Sequence, residues 1–167
     1  MAMEMNLDVI WVHGAMTVLE ATLSHSLNAS KVPCLVVEMG VGMRITPDFT
    51  KQIIAGILRL WQKLGVIDKK SELPPCTHHP MIADDSNVRY LNAETSGLFV
   101  PIVSRLSHVR RDEPIGNIVS PFHGKILSRV LSPCDGFLFT LREHPIVYEG
   151  SLLARLMEKP TQVVTRR

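Results

Sequence analysis

The sequence predicts an α/β piece followed by an all-β piece, and three observations carry that prediction. Residues 1–67 alternate β-branched runs with segments of helical period, the β-α-β-α order of a parallel sheet. From Val88 onward the apolar runs shorten and are broken by Gly or Pro about every ten residues, as in a compact β unit. This second piece also repeats itself. Ser96-Gly97-Leu98-Phe99-Val100 is echoed by Asp135-Gly136-Phe137-Leu138-Phe139, and Val109 to Val119 by Val147 to Met157, at offsets of 39 and 38 residues. Such a repeat predicts a pseudo-twofold barrel or sandwich of two similar hairpin units. The expected domains are 1–67 and 88–158, with a linker over 68–87 and a tail over 159–167.

Leu7 to Val12 (LDVIWV) is β-branched and aromatic and stops at His13-Gly14, which marks a strand. Thr17-Val18-Leu19-Glu20 fits a capping box, in which the hydroxyl and the carboxylate satisfy each other's free backbone N–H groups. A helix to about Asn28 should follow. Pro33 opens the apolar run Cys34-Leu35-Val36-Val37, expected as a second strand. Thr46-Pro47-Asp48 starts another helix, with threonine as N-cap, proline where its missing N–H costs nothing, and an acid near the positive end. Ile53, Ile54, Ile57, Leu58, Trp61 and Leu64 recur at helical spacing, and Gly65 suits a left-handed cap. Two strands and two helices cannot cover both faces of a parallel sheet. The sheet is therefore completed from elsewhere in the chain or by a partner, or the chain is the tail of something larger. Asp68 to Asn87 is rich in Pro, charge and short polar residues and has no period, which reads as a linker.

Composition excludes several classes of function. Net charge is +2 and the 18 Lys and Arg are spread along the chain, so no basic stripe points to nucleic acid or an anionic membrane. No apolar run approaches the roughly 18 to 20 residues that cross a bilayer. The start, MAMEMNLD, carries acids where a signal peptide carries bases, so a soluble cytoplasmic protein is expected. Cys34, Cys76 and Cys134 are an odd count at wide spacing, expected as reduced thiols with two of them buried.

Ligands of open α/β sheets bind at the carboxyl ends of the strands. Glu38 stands at such an end, before Met39-Gly40-Val41-Gly42, whose glycines allow close approach. A carboxylate on an apolar strand loses hydration, which suits a general base working near neutral pH; the alternative is an ion pair with a cation such as Arg44. His13 ends the other strand and could share that rim, or serve only as a hydrogen-bonded turn residue. Cys76-Thr77-His78-His79 offers adjacent histidines that do not easily share one ion and no further ligand at zinc spacing, so no metal is predicted there. Lys125, in Phe122-His123-Gly124-Lys125, lies between the two β halves. The second half of each β unit resembles biotinyl and lipoyl carrier domains, which would present a modified lysine there; the flanking carrier sequence is absent, and a solvated turn lysine is the simpler reading.

Taken in order, several segments carry a resemblance: Val37-Glu38-Met39-Gly40-Val41-Gly42, Ser96 to Pro101, Glu113 to Val119, Ser132 to Gly136 and His144 to Gly150. Together with the helix ending Leu64-Gly65-Val66-Ile67, they resemble the succinylglutamate desuccinylase and aspartoacylase family, zinc deacylases with a carboxypeptidase-like α/β domain. The resemblance implies a partial carboxypeptidase-like sheet and metal-assisted hydrolysis of an N-acyl amide. In that reaction Glu38 would be the general base, and Tyr148 would reach the substrate. The family's metal site needs a His-x-x-Glu pair and a further histidine. None of the seven histidines here has glutamate three residues later; His13-Gly14-Ala15-Met16 has methionine in that place. The resemblance thus implies the C-terminal half of such an enzyme, inactive alone, with zinc not held by this chain. An N-acyl amino acid would be its ligand once the missing half completes it, and self-association or a partner chain is expected. The competing readings are a non-catalytic binding or assembly module and a carrier domain modified at Lys125.

Overall fold

The computed structural model describes residues 1–14 and 21–159. The expected capping box at Thr17 to Glu20 and the tail from residue 160 onward lie outside the described residues. The chain divides into two compact units, Met1–Asp85 and the remainder from Ser86.

The first unit opens with a single 3-10 turn, Ala2–Glu4, followed by strand β1 (Val9–Val12), helices α1 (Leu23–Ala29) and α2 (Pro47–Lys63), and strand β2 (Met81–Asp84). β1 and β2 pair in parallel, from Val9 opposite Met81 to Val12 opposite Asp84. This corrects two expectations. The run Cys34 to Val37 joins no sheet, and the parallel partner of β1 comes from inside the segment expected as a linker. The run is tied to the end of α1 instead: Asn28 Oδ1 accepts the Cys34 N–H at 3.0 Å and Asn28 Nδ2 donates to the Cys34 carbonyl at 3.2 Å. Apolar composition favours a strand only where neighbouring strands bury it, and here Val36 is left 66% exposed.

The sequence signals of α2 map onto its ends. Thr46 is the N-cap, Pro47 the first helical residue, and Gly65 takes φ 78° after the last turn. The Val66 N–H donates to the Trp61 carbonyl at 2.8 Å and the Gly65 N–H to the Gln62 carbonyl at 3.2 Å, which satisfies carbonyls the helix leaves open. The N-terminal segment lies against this helix. Gln52, Ala55 and Gly56 are the helix's buried residues, and Asn6, itself buried, exchanges bonds with Gln52. Asn6 Nδ2 donates to the Gln52 carbonyl at 3.1 Å, and Gln52 Nε2 donates to the Asn6 carbonyl at 2.8 Å. Asn6 Oδ1 accepts the Thr77 and His78 N–H groups, each at 3.0 Å, so one side chain joins the N-terminus, α2 and the entry to β2. Its φ of 55° is one asparagine tolerates better than most residues.

The second unit holds β3 (Val88–Asn92), β4 (Gly97–Pro101), β5 (Ser107–Val109), β6 (Pro114–Val119), β7 (Ile126–Leu131), β8 (Gly136–Leu141), β9 (Ile146–Val147) and β10 (Leu152–Glu158). They form two antiparallel four-stranded sheets, ordered β3-β10-β8-β5 and β7-β6-β4-β9. Shifted by the sequence offset, β3, β10, β8 and β5 correspond to β7, β6, β4 and β9, so the two sheets are built in the same order. The registers agree as well: Phe99 faces Ile118 where Leu138 faces Leu156, and Gly97 faces Val147 where Gly136 faces Val109. The core contains Leu91, Phe99, Val109, Ile115, Ile118, Leu138, Val147 and Leu156, drawn from both sheets.

The repeated residues have repeated tasks. Ser96 Oγ accepts the Glu149 N–H at 3.2 Å, and its counterpart Asp135 Oδ1 accepts the Arg111 N–H at 2.7 Å. The Gly150 N–H donates to the Ala93 carbonyl and the Asp112 N–H to the Ser132 carbonyl, both at 2.8 Å. A Cβ at Gly97 would sit 2.7 Å from the Val119 carbonyl oxygen, and one at Gly136 would sit 2.7 Å from that of Met157. Ser96 and Asp135 thus hold a turn of the other half, while Gly97 and Gly136 let each strand approach its neighbour in the same half, which is why Ser-Gly and Asp-Gly recur. All three thiols are free, but only Cys134 is buried, where two were expected; Cys34 and Cys76 are half-buried.

Candidate functional site

The carboxyl ends of β1 and β2 lie side by side because the strands are parallel and in register, and each is followed by chemistry-bearing residues. His13 and Gly14 follow β1, and Asp85 follows β2. Asp85 accepts from Trp11 Nε1 at 3.0 Å and His13 Nδ1 at 3.1 Å on one oxygen and from the Gly14 N–H at 2.7 Å on the other. The Trp11 and His13 ring centroids are 4.2 Å apart, which fixes the imidazole against an apolar face. An Nδ1–H donated to the carboxylate leaves Nε2 as the imidazole's acceptor. Sequence reading set His13 at a strand end, sharing a rim with Glu38 or serving as a hydrogen-bonded turn residue; the structure bonds it to Asp85, which that reading missed. The signal was the short apolar triplet Met81-Ile82-Ala83 before acids, the pattern that had drawn attention to Glu38.

Glu38 is exposed, and among the described residues its carboxylate makes no ion pair with Arg44. Burial therefore does not strip its water. Gly40, two residues on, needs its glycine: φ is 71°, and a Cβ would press on the Phe49 ring at 3.3 Å. An open groove of about 280 Å³ lies beside this turn, lined by Met39, Arg44, Ile45, Phe49 and Ile53 among others. Tyr148 is 71% exposed at the turn after β9, with its N–H bonded to Ser151 Oγ at 3.0 Å. Lys125 is exposed in the hairpin turn between β6 and β7, its N–H bonded to His123 Nδ1 at 3.3 Å. His78 Nε2 lies 3.6 Å from Asp8 Oδ1, and His78 Nδ1 meets Thr77 Oγ1 at 3.1 Å. Among the described residues no group of three or more His, Cys, Asp or Glu side chains could hold a metal ion. No helix among them is long and apolar enough to cross a membrane.

No family model matches the sequence, and no curated protein matches it. Solved structures do match by shape. A succinylglutamate desuccinylase/aspartoacylase from Rhodobacter sphaeroides is similar over 91% of this chain and 46% of its own, with TM-score 0.72 and 22% identity. A succinylglutamate desuccinylase from a Silicibacter species is similar over 93% of this chain and 47% of its own, with TM-score 0.75 and 15% identity. The ectoine utilization protein EutE (DoeB) from Ruegeria pomeroyi, in its apo form, is similar over 95% of this chain and 50% of its own, with TM-score 0.75 and 13% identity. The chain therefore has the fold found in half of these proteins and spans about half their length.

Proposed function

We propose that this chain is the C-terminal portion of a zinc-dependent N-acyl amino acid deacylase in which Glu38 is the general base. The supporting observation is the match of 91–95% of this chain to half of proteins described as succinylglutamate desuccinylases or EutE. The segment Val37-Glu38-Met39-Gly40-Val41-Gly42 supplies the residue. In this reading Glu38 takes a proton from the attacking water and delivers it to the departing amine, and Tyr148 contacts the substrate. A zinc ion does not fit the described residues. Their His–carboxylate pairs, His13 with Asp85 and His78 with Asp8, are two-membered, whereas zinc sites take three or four ligands. The metal and most of the substrate contacts belong to residues outside this chain, and the chain alone is inactive.

The test is co-expression with a polypeptide that supplies the other half of the fold and carries a His-x-x-Glu pair. Free amine released from N-acetyl and N-succinyl amino acids is then measured with zinc present. Wild type should turn over, and Glu38→Gln should lose about 10²- to 10⁴-fold in kcat. Full activity in that variant removes Glu38 as the base, and no turnover by wild type overturns the deacylase reading. A second reading, a non-catalytic assembly module, is favoured by one observation: α2 leaves Ile54 and Trp61 about half exposed. A stable oligomer without hydrolysis in the same assay would select it.

A further inference from the structure

Among the described residues the Glu38 carboxylate takes part in no side-chain hydrogen bond and no ion pair, so its direction is set by the backbone on either side. Before it, Cys34 to Val37 join no sheet. After it, the chain turns against one aromatic ring. Gly40 takes φ 71°, and the Phe49 ring lies so close that a Cβ there would be 3.3 Å from Phe49 Cδ2 and 3.7 Å from Cε2. The Arg44 N–H then donates to the Val41 carbonyl at 3.3 Å, and the chain enters α2 at Thr46, which puts Phe49 on the first turn of the helix.

We propose that Phe49 is the positioning residue of the general base: its ring seats the Gly40 backbone and so fixes where the Glu38 carboxylate points. This role of Phe49 rests on the deacylase reading of Glu38. A base must stand within hydrogen-bond reach of the water it deprotonates, and a displacement of about 1 Å costs on the order of 10²-fold in rate. The element that carries the ring is firm, since α2 runs for 17 residues and is tied to Asn6 through Gln52. Glycine is needed at position 40 on two counts: a side chain would meet the ring, and the positive φ disfavours other residues.

The completed enzyme, assayed with zinc and an N-acyl amino acid, tests this through kcat and KM read separately. Phe49→Ala should lower kcat by about 10- to 100-fold with KM little changed, and Phe49→Tyr, which keeps the ring, should lose less. Gly40→Ala should lower kcat as well. The pair Gly40→Ala with Phe49→Ala should lose less than the product of the two single losses, because both act through one contact. Far-ultraviolet circular dichroism of each pure variant chain should match wild type, so that lost kcat is not lost fold; where Phe49→Ala unfolds, Phe49→Leu takes its place. In the pure chain the Gly40 Hα resonances should also move on that substitution, as the ring current is removed. No turnover by wild type overturns the deacylase reading and the role of Phe49 with it. Turnover that Phe49→Ala leaves unchanged, or losses at the two positions that simply multiply, overturn the role of Phe49 alone.

Discussion

Gly97 and Gly136 start equivalent strands in the two halves of the β unit, and alanine at either should destabilise it by a similar amount. At Gly136 the added Cβ would lie 2.7 Å from the Met157 carbonyl oxygen, 3.3 Å from its carbon and 3.5 Å from Glu158 Cα, all of them backbone of β10. At Gly97 it would meet the Val119 carbonyl oxygen and Ile118 Cγ2, both at 2.7 Å. Relief requires moving β10 or β6, central strands that pair on both sides, because a carbonyl cannot rotate away as a side-chain tip can. Overpacking of this kind costs about 1–3 kcal/mol. With a urea dependence of roughly 1–3 kcal/mol/M for a small domain, the unfolding midpoint should fall by about 1 M in each variant. Both tryptophans, Trp11 and Trp61, lie in the first unit, so the β unit is followed by circular dichroism and the first unit by tryptophan fluorescence. The circular dichroism midpoint should move in both variants and the fluorescence midpoint in neither. An unchanged midpoint for Gly136→Ala, whose obstacles are backbone alone, refutes the reasoning.

In the first unit, Gly56→Ala places a Cβ 2.1 Å from the Met5 carbonyl oxygen and should detach the N-terminal segment from α2, seen as a lower urea midpoint of tryptophan fluorescence. Asn6→Leu should lower the stability read from the same transition by about 2–3 kcal/mol, because it strands the Thr77 and His78 N–H groups. Asp112 has φ 64° where its repeat partner Gly150 has φ 81°; Asp112→Gly should leave stability unchanged or raise it by up to about 1 kcal/mol, and Asp112→Val should lower it by about 1–2 kcal/mol, by thermal unfolding. The Cys134 thiol is pushed up chiefly by burial and next by Glu158. Unfolding exposes a thiol that ionises near pH 8.5, so the unfolded chain loses its proton first and stability falls as pH rises above that value. Cys134→Ala should flatten that alkaline decline, and an equally steep decline in the variant would sink the assignment.

The β unit was legible because its information is local and repeated. Ser96-Gly97 and Asp135-Gly136 each encode a close strand crossing and a side-chain oxygen for the turn of the other half, and the same short words produce the same geometry twice. α2 was legible for the same reason, since Thr46, Pro47 and Gly65 act within a turn of where they stand. The first unit's sheet was not. Cys34 to Val37 has the composition of a strand, but a strand is defined by what lies beside it, and no neighbour sits there among the described residues. β2 was hidden for the opposite reason: four residues, Met81 to Asp84, set in polar sequence and made into a strand only by β1. Of the candidate site, His13 was readable as the end of a strand. Asp85, which orients it, follows a strand the sequence did not reveal.

One stretch of the first unit bears directly on the proposed function. Leu35 to Met39 offers backbone: the N–H groups of Val36 and Val37 make no hydrogen bond among the described residues, and an added strand would take them up. A completing half of a deacylase, under the proposed function, adds strands and protects them, and in doing so gives Glu38 the strand-end position from which a general base acts. Amide hydrogen exchange at Val36 and Val37, measured for the pure chain and again with the co-expressed partner, therefore tests that completion: the two amides should exchange fast in the pure chain and slow with the partner, and unchanged exchange with the partner bound would refute it.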